Sequence, residues 1–461
     1  MSGLSQEEKK RYAAILQEEL IPAMGCTEPI AIAYAASVAG KVLGEEARRM
    51  ELSCSGNIIK NVKAVAVPNA GGQKGIAVAG ILGLIGGNPD KQLEVIADVT
   101  DSAREKTREL AAEGFCKVLF AENAPNLYIA AKVFGDNHTA EVIIEKKHTN
   151  ISHIFRDEKE LEQDEAARAV ESTTYKTPRD HMNLKGILAY AEEADLSEVR
   201  EVLQRQVECN LAISQEGLDK NWGANIGSTI LETFGSDVKC RACARAAAGS
   251  DARMSGCPMP VVINSGSGNQ GITVSMPVVE YARELQVSED RMLRALIVSN
   301  LVSIYIKHYI GALAAFCGAV SASCGAGAGI SFLCGGDYAQ ISRTITNTLG
   351  NVGGIVCDGA KPSCAAKIAS SLHAAILAHH MSMSNRCFQA GEGIVEDDVE
   401  ETIKNMGYIG RVGMRDTDKE ILRVMTDHLA RNRTRAVRRA LRSRAFWALS
   451  AATRTRRSCA L

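Results

Sequence analysis

Cysteine placement carries the first chemical signal in this chain. Cys317, Cys357 and Cys364 stand in glycine- and alanine-rich surroundings, while Cys26 lies far upstream in the run Gly25-Cys26-Thr27-Glu28-Pro29. Thiolate is the soft donor that holds iron, and small neighbours let the backbone close around a buried iron–sulfur cluster. Three fixed ligands would leave one iron free to act as a Lewis acid, which points to a lyase. Cys324 lies in the same region, so spacing alone offers Cys317, Cys324, Cys357 and Cys364 as a four-ligand set, without the short Cys-x2-Cys-x2-Cys grouping of simple ferredoxins. The competing reading is that each thiol is a small hydrophobe in an Ala/Gly core. Asp358 and Lys361 weaken it for Cys357 and Cys364, because charges rarely enter a dry core without a partner. Cys240-x-x-Cys243 has no second pair to complete a zinc site and reads as packing.

Two further places offer polar groups. Ser265-Gly266-Ser267-Gly268-Asn269-Gln270-Gly271 follows an apolar run but meets no nucleotide-loop spacing; it is a nest of amides and short side chains suited to a carboxylate, with Ser265, Ser267, Asn269 and Gln270 as substrate-binding candidates. Lys60 and Lys74 stand near glycine and asparagine, and a lysine shielded from water can act as a base, although a solvated surface role is the commoner fate. His308, His373, His379 and His380 have no triad context.

The elements that must position these residues are mostly helical. Residues 5–20 form an amphipathic helix ended by Pro22, and the helix from about Pro29 to Leu43 puts Cys26 at or just before its N-terminus, where the dipole favours thiolate. Val62–Val67 reads as a strand leading into the loop through Lys74. A charged helix, 103–113, then precedes alternating stretches at 117–122, 128–134 and 141–147 that read as antiparallel strands. The expected fold is α+β: a helical catalytic domain with small-residue packing (residues 1–90 and 156–425) interrupted by a small strand-and-helix domain over 91–155. A basic tail, 426–461, is expected to be disordered.

Bulk composition fits a globular protein: 461 residues, 46% hydrophobic, 23% charged, 40 glycines, with only 5% aromatics, so small residues do the packing. A formal charge of −1 gives no general reason to expect nucleic acid or membrane as partner. Fourteen cysteines behind an N-terminus with no apolar signal core read as thiols in a reducing cytoplasm. His308–Gly336 has no Asp, Glu, Lys or Arg, but its Ala, Gly, Ser and Cys content favours buried helices over a membrane span.

Taken in order, GCTEP at 25–29, SGNIIKN at 55–61, GGQKG at 71–75, SDARMSGCP at 250–258, SGSGNQGIT at 265–273 and the Cys317/Cys357/Cys364 set resemble the iron–sulfur L-cysteine desulfidase family, related to the α-chain domain of bacterial iron–sulfur L-serine dehydratases. The similarity runs from about Ser5 to Met425; the arginine-rich tail departs from it and reads as a disordered extension or an altered frame. The resemblance implies a [4Fe-4S] cluster held by Cys317, Cys357 and Cys364 that converts L-cysteine to pyruvate, ammonia and sulfide. Cys26 is then a further functional thiol, either a displaceable fourth ligand or a participant in proton transfer, and Cys324 is packing. A related lyase on L-serine is the alternative, as is a non-catalytic thiol or metal-binding protein. The implied partner is a small amino acid; self-association into a homo-oligomer stays open.

Overall fold

The computed structural model describes residues 3–63, 65–161, 177–311 and 314–425. Its elements are mainly α-helices with strands gathered into small sheets, in agreement with the α+β expectation. Residues up to Arg415 form one compact unit. The arginine-rich tail, 426–461, and the charged stretch 162–176 lie outside the described residues.

A strand β1 (Pro22–Met24) follows the first helix, Gln6–Glu19, and pairs with β8 (Pro260–Val262), which ties the segment before Cys26 to the segment before Ser265. The larger sheet has six strands in the order β3-β2-β4-β5-β6-β7, where β2 is Arg49–Cys54, β3 Cys116–Phe120, β4 Tyr128–Phe134, β5 Thr139–Glu145, β6 Ile151–Arg156 and β7 Lys159–Glu160. Met50, Leu52 and Cys54 alternate inward with Ile129, Ala131, Val133, Val142 and Ile144, and this face packs on helix Thr27–Leu43.

Two local expectations give way. The described residues of Val62–Val67 form no strand: helix Gly56–Val62 takes in the first of them, because Ser55 starts a helix whose buried face is Ile58 and Val62, and residues 65–75 form a loop. The strand at 116–120 is parallel to β2 rather than antiparallel to its sequence neighbour β4. The long connection from β2 through helices Gly56–Val62, Ile76–Gly86 and Asp101–Glu113 is the crossover that parallel pairing requires.

The second half is a stack of helices packed through small residues. In helix Gly318–Leu333, a methyl group on Gly325 would stand 2.3 Å from the Ser299 carbonyl oxygen of helix Glu289–Ile310, so only glycine allows this approach. Gly217 of helix Arg200–Asp219 serves helix Val238–Met254 in the same way. The described part of His308–Gly336 includes the end of helix Glu289–Ile310 and helix Gly318–Leu333, which is buried from Ala319 onward. No helix among the described residues is long and apolar enough to cross a membrane.

Candidate active site

Backbone pairing brings the distant thiols together. Phe316 bridges Val356, the Cys317 amide donates to the Ile355 carbonyl at 3.0 Å, and the Cys357 amide donates to Ala315 at 2.6 Å. This short ladder sets Cys317 beside Cys357. Further along the chain, Cys364 opens helix Cys364–Met383. Cys26 stands at the N-cap of helix Thr27–Leu43 and shares a small apolar cluster with Val65, Met254 and Cys364. All four cysteines line one cavity of about 170 Å³.

Helix starts converge on this cavity. Cys317 and Cys26 are N-cap residues, Cys364 is a first-turn residue, and Ser267 caps helix Gly268–Glu284; none of the four N-caps, Cys26, Ser267, Cys317 and Ser363, makes a side-chain capping bond. Amide donors and the positive ends of helix dipoles therefore face inward, where they favour anions and thiolates. Buried cations add to this field: Lys60, Arg253 and Lys307 line the cavity, while Glu28 is the sole carboxylate on its wall among the described residues. Such a positive interior is costly unless an anionic group occupies it.

The electrostatics differ from cysteine to cysteine. Cys317 and Cys357 are in hydrogen-bonding contact; that bond and burial hold the Cys317 thiol well up, while the same bond, with Lys60 and Lys307 nearby, holds Cys357 low. Burial raises Cys364. Burial also pulls the Lys307 ammonium down to about 8, against the opposing pull of Cys357 and Cys317. Cys26 corrects the expectation of a helix-stabilised thiolate. Burial and the adjacent Glu28 carboxylate push it well up, so it keeps its proton and donates to Glu28 Oε2 at 3.1 Å. Burial opposes ionisation of Glu28, but His148, the Cys26 bond and Arg253 outweigh it and hold the carboxyl below its ordinary value.

The glycines in these loops make room for side chains. A methyl group on Gly268 would stand 2.3 Å from Arg253 Nε, and one on Gly318 would stand 2.6 Å from Gln270 Cδ. Ser265 at φ 50° and Gly266 at φ 75° turn the loop, and Thr27 Oγ1 donates to the Gly266 carbonyl at 3.2 Å, joining it to the Cys26 helix.

Ser265, Ser267, Asn269, Gln270, Lys60, Cys26, Cys317, Cys357 and Cys364 thus meet at one cavity. Lys74 does not. It is exposed on its loop, whose backbone turns back to bridge Ala66, and its side chain points to solvent rather than into the cavity. Cys324 is buried within helix Gly318–Leu333 and away from the cavity lining, as packing requires. Glu28, Asn61, His148, Arg253 and Lys307 line the cavity without having been singled out by sequence. The available signal was a charged residue following an apolar run inside a helix, as with Lys307 after Ile304 and Ile306.

The donor set fits an iron–sulfur cluster. Three thiols line one buried, cation-rich wall, and no group of three or more His, Cys, Asp or Glu among the described residues converges on a single point as ligands of one ion do. Cluster ligands need not converge so, because each thiolate holds its own iron.

The chain is 48% identical over 416 residues to a UPF0597 protein of Lachnoclostridium phytofermentans, covering 90% of this chain and 99% of that one. It is 48% identical to a UPF0597 protein of Desulfitobacterium hafniense (90% and 96% covered) and 45% identical to one of Treponema denticola (92% and 99%). Residues 90–423, which carry Cys317, Cys357, Cys364, Arg253 and the Ser265 loop, match the family model described as serine dehydratase alpha chain, and the chain belongs to that family.

Proposed function

We propose that this cavity is the active site of an iron–sulfur-dependent lyase that eliminates sulfide from L-cysteine to give pyruvate, ammonia and hydrogen sulfide. The observation that carries the reading is the convergence of Cys317, Cys357 and Cys364 on one buried wall, with Cys26 and the amines of Lys60 and Lys307 lining the same space. Cys317, Cys357 and Cys364 would hold a [4Fe-4S] cluster, which when bound supplies an electrophilic iron for the substrate's leaving group or carboxylate.

The chain's own groups cover the remaining needs. In this reading the substrate carboxylate meets the polar segment Ser265–Gln270 at the start of helix Gly268–Glu284, where Arg253 bonds Asn269. Lys307, whose ammonium is held only weakly, is suited to take the α-proton at Nζ, with Lys60 as the second amine on the wall. As that proton leaves, the carbon–sulfur bond breaks and aminoacrylate forms; tautomerisation and hydrolysis then give pyruvate and ammonia. The Cys26 thiol holds a proton that it can deliver at Sγ. Sequestration in a buried cavity strengthens each of these interactions.

The second reading is water elimination from L-serine at the same residues, favoured by the description of the matching family. The deciding experiment is anaerobic purification, determination of iron and acid-labile sulfide, and parallel assay of L-cysteine and L-serine. Sulfide release with pyruvate from L-cysteine supports the first reading, pyruvate from L-serine alone the second, and an iron-free protein making neither product overturns both.

A further inference from the structure

The extended segment that carries Cys357 is held from both edges. On one edge the Cys317 amide donates to the Ile355 carbonyl at 3.0 Å and the Cys357 amide to the Ala315 carbonyl at 2.6 Å. Carbonyls alternate in direction along an extended chain, so the Val356 carbonyl points away from this ladder. Lys367 Nζ donates to it there at 2.8 Å, and the same ammonium bonds Asp358 Oδ1. One side chain thus takes the place that a neighbouring strand would fill.

Lys367 comes from the opening turn of helix Cys364–Met383, three residues after Cys364 and on the same face of the helix. A cation so near a helix N-terminus works against the dipole, a cost that its bonds to a carbonyl and a carboxylate offset. Lys361 makes a second set of bonds, to the Asp358 carboxylate at 2.6 Å and to the carbonyls of Asp358 at 2.9 Å and Gly359 at 3.4 Å. These bonds stay inside the turn, whereas those of Lys367 join the turn to the helix. Two ammonium groups against one carboxylate leave a net positive charge here, and Lys367 stands within electrostatic reach of Cys317 and Cys364. On the inner side Gly359, at φ 97°, lets the turn lie on the helix of Lys60: a methyl group would stand 2.5 Å from the Lys60 carbonyl oxygen.

We propose that Lys367 is a positioning residue for the cluster ligands: reaching from the helix that begins with Cys364, it bonds the Val356 carbonyl and Asp358, fixes the separation of Cys357 and Cys364, and sets a cation beside them. Without this tie the two thiols are joined only through residues 358–363, and ordering that turn would be charged against cluster binding. With it the ligands are preorganised. The fixed charge has a second effect: reduction adds an electron to a cluster, and a nearby cation stabilises the reduced form and raises the potential. This inference rests on Cys317, Cys357 and Cys364 holding an iron–sulfur cluster.

The test uses the anaerobically purified full chain. Iron and acid-labile sulfide are measured first; iron release to the ferrous chelator bathophenanthroline and the cluster's midpoint potential are then compared in native protein, Lys367→Met, Lys367→Arg and Lys361→Met. Lys367→Met is expected to yield its iron at least about tenfold faster than native protein, the scale on which groups that orient metal ligands act, and its potential falls. Lys367→Arg keeps the charge and the donors and restores both properties. Lys361→Met releases iron more slowly than Lys367→Met, because the tie to the helix survives. Should methionine disturb the fold, Lys367→Gln, a shorter and uncharged donor, repeats the comparison with a polar side chain. Equal release from native protein and Lys367→Met, or equal release from Lys361→Met and Lys367→Met, overturns the proposal while leaving the cluster reading intact. Native protein that holds no iron sinks both together, and a cluster whose retention depends on Lys367 in a protein that makes no pyruvate sinks the lyase reading alone.

Discussion

Cys317 and Cys357 touch, yet they are not equivalent: the first is held up as a thiol and the second is held low, with Lys60 and Lys307 beside it. The asymmetry comes from position. Cys317 caps a helix from within the core, while Cys357 sits on a loop facing two buried amines. Binding of the proposed cluster must displace the remaining protons, so its assembly is expected to be pH-dependent.

Alanine at Cys317, Cys357 or Cys364 is expected to abolish retention of iron and acid-labile sulfide, while Cys324→Ala retains both. The latter loses only buried packing, about 1 kcal/mol of stability. Iron analysis of the four variants beside their thermal melts separates ligands from filler. Iron retained in Cys364→Ala would remove that residue from the ligand set.

Lys307→Met and Lys60→Met are each expected to lower kcat by roughly 100-fold or more if the amine moves a proton or holds developing charge. Lys74→Ala leaves the rate unchanged, because its side chain is exposed and outside the cavity. Steady-state assay of the three variants checks the distinction.

Cys26→Ser is expected to keep the cluster and lose most activity, because the hydroxyl preserves the hydrogen bond to Glu28 but not the thiol's chemistry. Iron content measured beside turnover decides. Full activity would place Cys26 among the packing residues.

Two glycines on one helix predict opposite outcomes. Gly318→Ala pushes against the end of the flexible Gln270 side chain, so KM rises severalfold with little change in Tm. Gly325→Ala meets the Ser299 backbone carbonyl and costs about 1–3 kcal/mol, while KM in the folded fraction is unchanged. Kinetics and calorimetry on both variants read this out.

Acid should destabilise the helical core through His379. Burial, with His380 nearby, holds its imidazole down to about 4 from an ordinary 6.5, and its Nδ1 bonds Ser331 at 2.9 Å. The unfolded chain therefore takes up a proton near pH 6.5 that the folded chain refuses. The stabilising preference for neutral imidazole is present above 6.5 and is lost as pH falls toward 4, by about 1.4 kcal/mol per pH unit for this one group. Thermal melts of native protein and His379→Gln across that window should show a shallower slope in the variant.

The order of motifs carried a large part of the answer. Cys26 before a helix, the Ser265 loop after an apolar run and the helical character of the second half come from local rules that act over a few residues, such as capping, periodicity and glycine turns. The six-stranded sheet was only partly legible. The pairing partner of the 116–120 strand was set by a long crossover through three helices, which no local pattern encodes.

By itself the sequence determined which residue types were present for the proposed cluster and substrate carboxylate, and that small residues would pack the helices. Only the tertiary structure decided which of them meet. It admitted Lys307, Arg253, Asn61 and His148 to the cavity and turned Lys74 away from it. It also made Cys26 a thiol, because the cost of burying a second negative charge beside Glu28 exceeds what a helix terminus returns. Burial and charge proximity depend on residues far apart in the chain, and they exist only once the chain has folded.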